Sequence, residues 1–364
     1  MKTAIIGCGN ISTQYLERAS AFPVLDIVRL ADLDAGRAQS QAEKFGVPRH
    51  GTVDDLLADA EVELVINLTV PAAHASVALQ CIAAGKHVYG EKPLAVTRAE
   101  AASMLDAAAS KGVRIGNAPD TFLGTGHQAA RQLIDAGAIG TPTAAMGFMV
   151  CAGHERWHPD PEFYYAPGGG PMLDMGPYYL TALINLLGPI NRVSAEAGIQ
   201  VNPRTITSAK KNGQQIQVQT PDHVTASLRF AGGAIGTLVT SFAGHRATHD
   251  AKHPITIYGT KGTLKVGDPN GFDTPPMLFT TEQDGEGYTE VNVQHTHPDG
   301  RSLGAADMAL AIETGRPHRA NGELSRSVLD IMLATLESSE RGQYVAIDTA
   351  GVERPTMIPV DGLS

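Results

Sequence analysis

Over the first 120 positions the apolar residues come in short unbroken runs. Residues 3–6 (TAII) end at Gly7, residues 26–31 (DIVRLA) end at Asp32, and residues 64–69 (LVINLT) form a third run. KHVYGEKP at 86–93 and GVRIGN at 112–117 extend the series to five. Between them lie Ala- and Leu-rich stretches, 11–21, 35–45, 72–84 and 97–110, with apolar positions at helical spacing. Continuous apolar strands alternating with helices predict βαβ units and a parallel sheet covered on both faces.

The rhythm changes after about residue 121. A helix is expected over 123–136 with Gly137 as its C-cap. Longer alternating stretches follow at 143–152, 192–201, 224–231, 234–243, 254–260 and 262–267, the last two read as a hairpin around Lys261-Gly262. Helical patterns return at 302–315 and 324–341. The chain therefore reads as α/β. A doubly wound, Rossmann-type N-terminal domain spans 1–121. An α+β domain spans 122–364, with a large, mostly antiparallel open sheet for substrate binding and oligomerisation.

Composition narrows the partners. The chain has 364 residues and a net charge of -10, with 28 basic against 38 acidic side chains. Nucleic acid and anionic membranes need clustered Lys and Arg, so neither is an expected partner. No apolar run approaches the ~18 residues of a membrane span, and the opening MKTAIIGCGN reads as a strand, not a signal peptide. Cys8, Cys81 and Cys151 are odd in number and far apart, which argues against a disulfide framework and for a cytoplasmic setting.

The turn after the first strand reads Gly7-Cys8-Gly9-Asn10-Ile11-Ser12, a G-x-G-x-x-G pattern with Ser12 at the third glycine. Gly7 allows a tight turn and Gly9 lets a pyrophosphate approach the helix N-terminus, so Gly7, Gly9, Asn10 and Ile11 are candidate cofactor contacts. Asp32, closing the second strand, can accept from ribose hydroxyls and would repel a 2′-phosphate. NAD is favoured over NADP, with Arg37 keeping NADP as the lesser option. A purely structural βα turn with a solvated Asp is the competing reading.

Glu91-Lys92-Pro93 follows the fourth strand at the carboxyl edge of the sheet, where ligands of open α/β sheets bind. The Lys-Pro bond is a candidate for the cis form. On IIGCGNIS, LADLD, VPAAHASVALQCIAAGKHVYGEKPLA and GGGPMLDMGPYYLTALINLLGP at 168–189, the chain resembles the Gfo/Idh/MocA oxidoreductases. The resemblance covers the first ~120 residues well and continues in patches, among them DMALAIETGRPHRANGELSRSVLDIM at 307–332. It implies NAD-dependent hydride transfer at a secondary hydroxyl or ketone of a sugar, cyclitol or sugar derivative. It places Lys92 at the reacting oxygen and Asp174 beside it. Asn67, Thr69, Pro71 and His74 would run along the cofactor, with Glu91 near the nicotinamide. Asn117 and Asp120 would lie where cofactor and substrate meet. A homodimer or homotetramer is implied too. Arg131, a helical turn further on, is expected as a solvated or interdomain charge.

The departure from the family pattern is Tyr178, where D-x-G-x-H would put histidine. Oxidising an alcohol releases a proton, which imidazole accepts readily near neutrality and phenol, with an ordinary pKa of about 10, does not. Lys92 is therefore the expected acid/base, with Tyr178 as relay or substrate hydrogen-bond partner and Asp174 orienting Lys92 or a substrate hydroxyl. Tyr179 points elsewhere, so one of the two tyrosines only packs.

His154-Glu155-Arg156-Trp157-His158 spells H-E-x-x-H, the pattern of zinc proteases. Zinc binding there needs both His on one helical face. Gly153 before and Pro159 after deny it that helix, so no metal site is expected. His154, Trp157 and His158 are read instead as contacts to a polyhydroxylated substrate. Two rivals remain: an enzyme that oxidises transiently to drive hydrolysis or elimination while recycling its NAD, and a non-catalytic NAD- and sugar-sensing regulator.

Overall fold

Strand β1 (Lys2–Ile6) is buried at every position after its first, as a strand sandwiched between helices must be. It is followed by α1 (Asn10–Ala19), β2 (Asp26–Ala31), α2 (Ala35–Phe45), β3 (Arg49–Gly51) and α3 (Val53–Leu57). Then come β4 (Leu64–Asn67), α4 (His74–Ala83), β5 (His87–Gly90), α5 (Arg98–Lys111) and β6 (Ile115–Asn117). The computed structural model describes residues 1–245, 249–282, 287–291, 297–359 and 362–363. The six strands form one sheet of order β3-β2-β1-β4-β5-β6, all parallel. This order reverses between β1 and β4, which is the doubly wound topology and its ligand-binding switch point.

Local chemistry sets the ends of these elements. The Asp34 carboxylate accepts from the Gly36 and Arg37 amides and caps α2, and α5 opens on a reciprocal Thr97–Glu100 capping box. Strand β3 has only three residues, too short to show a period, which is why the sequence pattern gives five strands and the sheet has six.

The second part begins with α6 (Thr125–Asp135), β7 (Pro142–Val150), α7 (Pro171–Leu187), β8 (Ile190–Gly198), β9 (Arg204–Thr205) and β10 (Gln215–Ile216). It continues with β11 (His223–Phe230), β12 (Ile235–Ser241), β13 (Ile255–Gly259), β14 (Gly262–Val266), β15 (Met277–Thr280) and β16 (Thr289–Glu290). After α8 (Leu303–Thr314) and α9 (Gly322–Arg341), β17 (Val345–Ala346) adds the last strand. Nine strands form a sheet of order β16-β15-β14-β13-β7-β12-β11-β8-β17. Every pair is antiparallel except β7 with β12. Strand β11 alternates buried and exposed positions, and its covered face lies against α7. Leu180, Leu183, Ile184 and Leu186 of α7 are fully buried, each worth roughly 1.5–3 kcal/mol of burial.

Two compact units result. One gathers residues 1–124, 295–329 and 355–364, the other 125–294 and 330–354. In the first, residues after 297 return to the parallel sheet. His318 Nε2 meets the Ile115 carbonyl at 2.9 Å, and Asn117 N donates to the Ala320 carbonyl at 3.0 Å.

Candidate functional site

In the first unit, the turn after β1 leaves open space at the N-terminus of α1. Gly7 has φ +97°, and a Cβ there would strike the Leu68 carbonyl at 2.6 Å. Gly9 is the N-cap of α1, and a Cβ on it would meet nothing within 4 Å. The protein thus leaves space beside Gly9, at a helix N-terminus whose first amides Asn10 and Ile11 supply. Ser12 is fully buried and its Oγ donates to the Gly9 carbonyl at 2.6 Å, so the hydroxyl braces the turn where a third glycine is absent. Asp32 accepts from the Cys8 amide at 2.8 Å and the Asp34 amide at 2.9 Å, and Arg37 Nη1 lies 3.7 Å away. These bonds hold the carboxylate against the turn. Burial beside Asp32 pushes the Cys8 thiol up to about 12, so it stays protonated.

The loops after β4 and β5 are tied to each other. Asn67 Oδ1 accepts from the Thr69 amide and hydroxyl at 3.2 and 2.7 Å, and its Nδ2 donates to the His74 carbonyl at 3.1 Å. His74 Nδ1 lies 2.6 Å from the Pro93 carbonyl and Nε2 3.0 Å from the Thr69 carbonyl. Asn67 and His74 therefore spend their polar atoms shaping the edge, while Thr69 is partly exposed and Pro71, opening a short 3-10 turn, is exposed. Glu91 accepts from the Tyr15 hydroxyl at 2.8 Å and from the Lys92 amide at 3.0 Å. Asn117 donates to the Gly90 and Glu91 carbonyls at 2.9 and 2.8 Å, so three elements fix the backbone that carries Lys92. The Lys92-Pro93 bond is cis. Asp120 has no exposed surface. Its carboxylate meets Arg301 Nη1 at 3.4 Å and the Gly304 amide at 3.1 Å, and burial raises its pKa against the pull of Arg301. Expected at the substrate, Asp120 instead anchors the start of α8.

In the second unit, the sequence from Gly168 to Gly170 turns sharply into α7. Gly168 and Gly170 take φ +87° and +89°, and a Cβ on Gly169 would hit the Phe163 carbonyl at 2.5 Å. Pro171 then begins the helix, and Asp174 falls in its first turn. Asp174 and Tyr178 are one turn apart on the same face. A Cβ on Gly176 between them would meet Met172 Sδ at 2.9 Å and Met332 Sδ at 3.2 Å, so this glycine admits α9. Tyr179 hydrogen-bonds the Phe148 carbonyl at 3.0 Å, and Tyr178 and Tyr179 are both buried. Arg131 departs from its expectation: it is buried, with Nη1 on the Asn185 carbonyl at 2.8 Å, and joins α6 to α7.

The loop at 153–165 meets the start of α7. His154–Arg156 is a single 3-10 turn, so the helix that H-E-x-x-H chemistry needs is not formed. His154 Nε2 lies 3.3 Å from Asp174 Oδ2, and the Trp157 indole N–H donates to His154 Nδ1 at 3.2 Å. Glu155 turns the other way: it pairs with Arg204 at 3.0 Å and accepts from the Tyr165 hydroxyl. Arg204 also reaches Asp222 at 2.6 Å and the Phe242 carbonyl at 2.9 Å. Above this buried anchor Trp157 stays 61% exposed, edge-on to His158 at 5.3 Å. Burial lowers the His158 pKa, and its Nδ1 accepts from the Asp160 amide at 3.1 Å, which leaves Nε2 of the neutral ring as a donor. Among the described residues no cluster of three or more His, Cys, Asp or Glu is arranged to hold a metal, and no helix is long and apolar enough to cross a membrane.

The structure thus joins His154, Trp157, His158 and Asp174 in one cluster. It joins the Gly-rich turn, Asp32, and the 67–74 and 91–93 loops at one sheet edge. Sequence reasoning missed Tyr15, Arg204, Asp222, Tyr165 and Arg301, which hold these groups from behind. Tyr15 alone left a trace, as a hydroxyl on the apolar face of α1 that needs a buried partner.

Residues 1–118 match the model of an oxidoreductase family with an NAD-binding Rossmann fold, and residues 127–265 match the GFO/IDH/MocA C-terminal domain. The chain is 29% identical over 350 residues to a 1,5-anhydro-D-fructose reductase of Ensifer adhaerens, covering 95% of this chain and 98% of that one. It is 35% identical over 156 residues to an inositol 2-dehydrogenase of Salmonella typhimurium, 40% of this chain and 45% of that one. In fold it is similar to a levoglucosan dehydrogenase solved with NADH, with a TM-score of 0.81 at 22% identity over 96% of this chain and 99% of that one.

Proposed function

We infer the reaction from one premise: this chain belongs to the GFO/IDH/MocA oxidoreductase family and has its NAD-binding Rossmann fold. It transfers hydride between the nicotinamide and a secondary hydroxyl or ketone of a carbohydrate, cyclitol or related polyol. The observation that carries the reading is the contact of His154 with Asp174 at the head of α7, beneath an exposed Trp157. An exposed indole and imidazoles suit a ring with CH faces and many hydroxyls. The relatives named for anhydrofructose and inositol act on compounds of that kind.

When bound, the dinucleotide accepts or delivers the hydride. The protein must manage the proton. Lys92 exchanges it with the reacting oxygen, its backbone held by Glu91, Asn117 and Pro93. Asp174 and Tyr178 share the proton path and fix the substrate hydroxyl. His154, Trp157 and His158 bind the sugar. The units divide the labour: the first, with boundaries near 1–121, holds cofactor, and the second substrate. The free cysteines fit a cytoplasmic enzyme, and the uncovered face of the nine-stranded sheet fits a homodimer or homotetramer.

The test incubates the protein with NAD or NADP and a panel of pyranoses, inositols, anhydrosugars and glycosides, following reduced nicotinamide by absorbance. Turnover of at least one polyol is expected, and Lys92→Met abolishes it while sparing cofactor affinity. Silence across the panel with cofactor bound would sink the dehydrogenase reading. Product released without accumulating NADH would point to the transient-oxidation route. Wild-type rates in Lys92→Met would refute the role of Lys92.

A further inference from the structure

The departure at position 178 leaves α7 without an imidazole: none of its 17 residues is histidine. An imidazole nonetheless reaches Asp174, from a different part of the chain. His154 stands 20 residues earlier, on the loop that Gly153 begins, and its Nε2 lies 3.3 Å from Asp174 Oδ2. Its ring packs against two aromatic neighbours, with the Tyr164 centroid 4.4 Å away and the Phe242 centroid 4.5 Å away. Its backbone amide donates to the Tyr165 hydroxyl at 3.1 Å, and that hydroxyl is itself held by buried Glu155.

Which nitrogen carries the proton follows from Trp157. An indole N–H can only donate. It points at His154 Nδ1 from 3.2 Å, so Nδ1 must present its lone pair. In the neutral ring the single proton then sits on Nε2, the nitrogen facing Asp174. The arrangement runs one way: Trp157 Nε1–H to His154 Nδ1, and His154 Nε2–H to Asp174 Oδ2. In this state the ring has no free lone pair with which to take a proton from substrate. Its work is to hold the carboxylate.

Resting on the proposed hydride transfer, we propose that His154 is the positioning residue of Asp174, locked by Trp157 in the tautomer that donates from Nε2. This reassigns His154 from sugar contact to orienting group. Trp157 gains a second role, because besides offering a face to the sugar it sets the polarity of the hydrogen-bond chain beneath. The role of the missing helical histidine is thereby supplied in part from the loop. A neutral imidazole orients the carboxylate, and the proton itself is left to Lys92 and Tyr178.

The test has a spectroscopic half and a kinetic half. In the full chain with ¹⁵N-labelled histidine, at mildly alkaline pH, two-bond ¹H–¹⁵N correlation spectra distinguish protonated from bare ring nitrogens. The signals lost in His154→Gln belong to His154. They should show a protonated Nε2 and a bare Nδ1, and should shift towards a mixture of tautomers in Trp157→Phe. In kinetics, His154→Ala should lower kcat by about 10–100-fold, the loss of one hydrogen bond to a charged group, with little change in KM. His154→Gln, which can again offer an N–H to Asp174, should recover most of that loss. A bare Nε2 in the wild-type protein would overturn the proposal. So would a His154→Ala variant that raises KM and leaves kcat intact, the signature of a plain sugar contact. The spectra need no substrate. If no polyol is turned over, the dehydrogenase reading falls while the tautomer measurement still supports or overturns the pairing.

Discussion

Glu155 Oε1 lies 3.0 Å from Arg204 Nη1, and both side chains are buried. This pair takes the glutamate out of H-E-x-x-H and turns it into the foundation of the loop. The Glu155 carbonyl adds to it by accepting from the Thr207 and Ser208 amides at 3.0 and 3.1 Å. Removing Glu155 leaves Arg204 with Asp222 as its one carboxylate partner and leaves the buried Tyr165 hydroxyl without its acceptor. Glu155→Ala should therefore destabilise the chain by about 1–3 kcal/mol in urea unfolding. It should also loosen the loop, so that Trp157, the chain's one tryptophan, shifts its emission even in the folded state. A variant as stable as wild type, with unchanged emission, would mean that the pair does not anchor the loop.

The pair also marks the limit of what the sequence discloses. Strand and helix rhythm is written in periods of two and of 3.6, so the alternation of the first unit and strands such as β11 can be read directly. The Gly-rich turn is legible because its chemistry is local. Glu155 and Arg204 stand 49 residues apart, and Arg204 lies in a strand of two residues, where no period exists. The meeting of His154 with Asp174 has the same character: both residues were singled out, but nothing in their spacing pairs them. Asp120 shows the reverse error. A polar residue after a sheet strand looks like a ligand group until Arg301, 181 positions later, is seen to hold it.

Gly7 and Gly9 look alike in the motif but should fail differently. Alanine at Gly7 must adopt φ +97° and push its Cβ against the Leu68 carbonyl, so Gly7→Ala should lower stability by roughly 1–3 kcal/mol as well as cofactor affinity. Gly9 has φ -75° and open space around its missing Cβ, so Gly9→Ala should leave stability within about 0.5 kcal/mol of wild type. Its NAD affinity should nevertheless fall, because the added methyl occupies the approach to the helix N-terminus. Urea unfolding and NAD titration of the two variants separate these effects. Unchanged NAD binding in Gly9→Ala would remove the pyrophosphate from this turn.

Asp32 should govern the choice of dinucleotide. Its carboxylate holds the turn through the Cys8 and Asp34 amides and sits 3.7 Å from Arg37. Asp32→Ala removes a charged acceptor and should weaken NAD by about 10–100-fold. It also removes the repulsion against a 2′-phosphate and releases Arg37 to meet one. The ratio of NADP to NAD affinity should therefore rise, as measured by direct titration of both. A parallel loss of both cofactors would show that Asp32 only braces the turn.

His127 should make stability depend on acid. It is buried in α6, its Nε2 is 3.4 Å from the Asp268 carbonyl, and burial pushes its pKa from 6.5 down to about 4. The folded-state value lies below the unfolded one, so the unfolded chain takes up a proton that the folded chain refuses. The stability this confers is complete above about pH 6.5 and is lost as pH falls towards 4, a difference of about 3 kcal/mol. Other buried histidines, His297 and His318 among them, are shifted in the same direction, so the wild-type slope alone does not isolate one ring. The comparison with His127→Gln does, because glutamine can keep a donor towards Asp268 and does not titrate. Urea unfolding at pH values from 7 to 4 should show the wild-type chain losing about 3 kcal/mol more than the variant. Parallel curves would show that the His127 ring charges freely inside the fold.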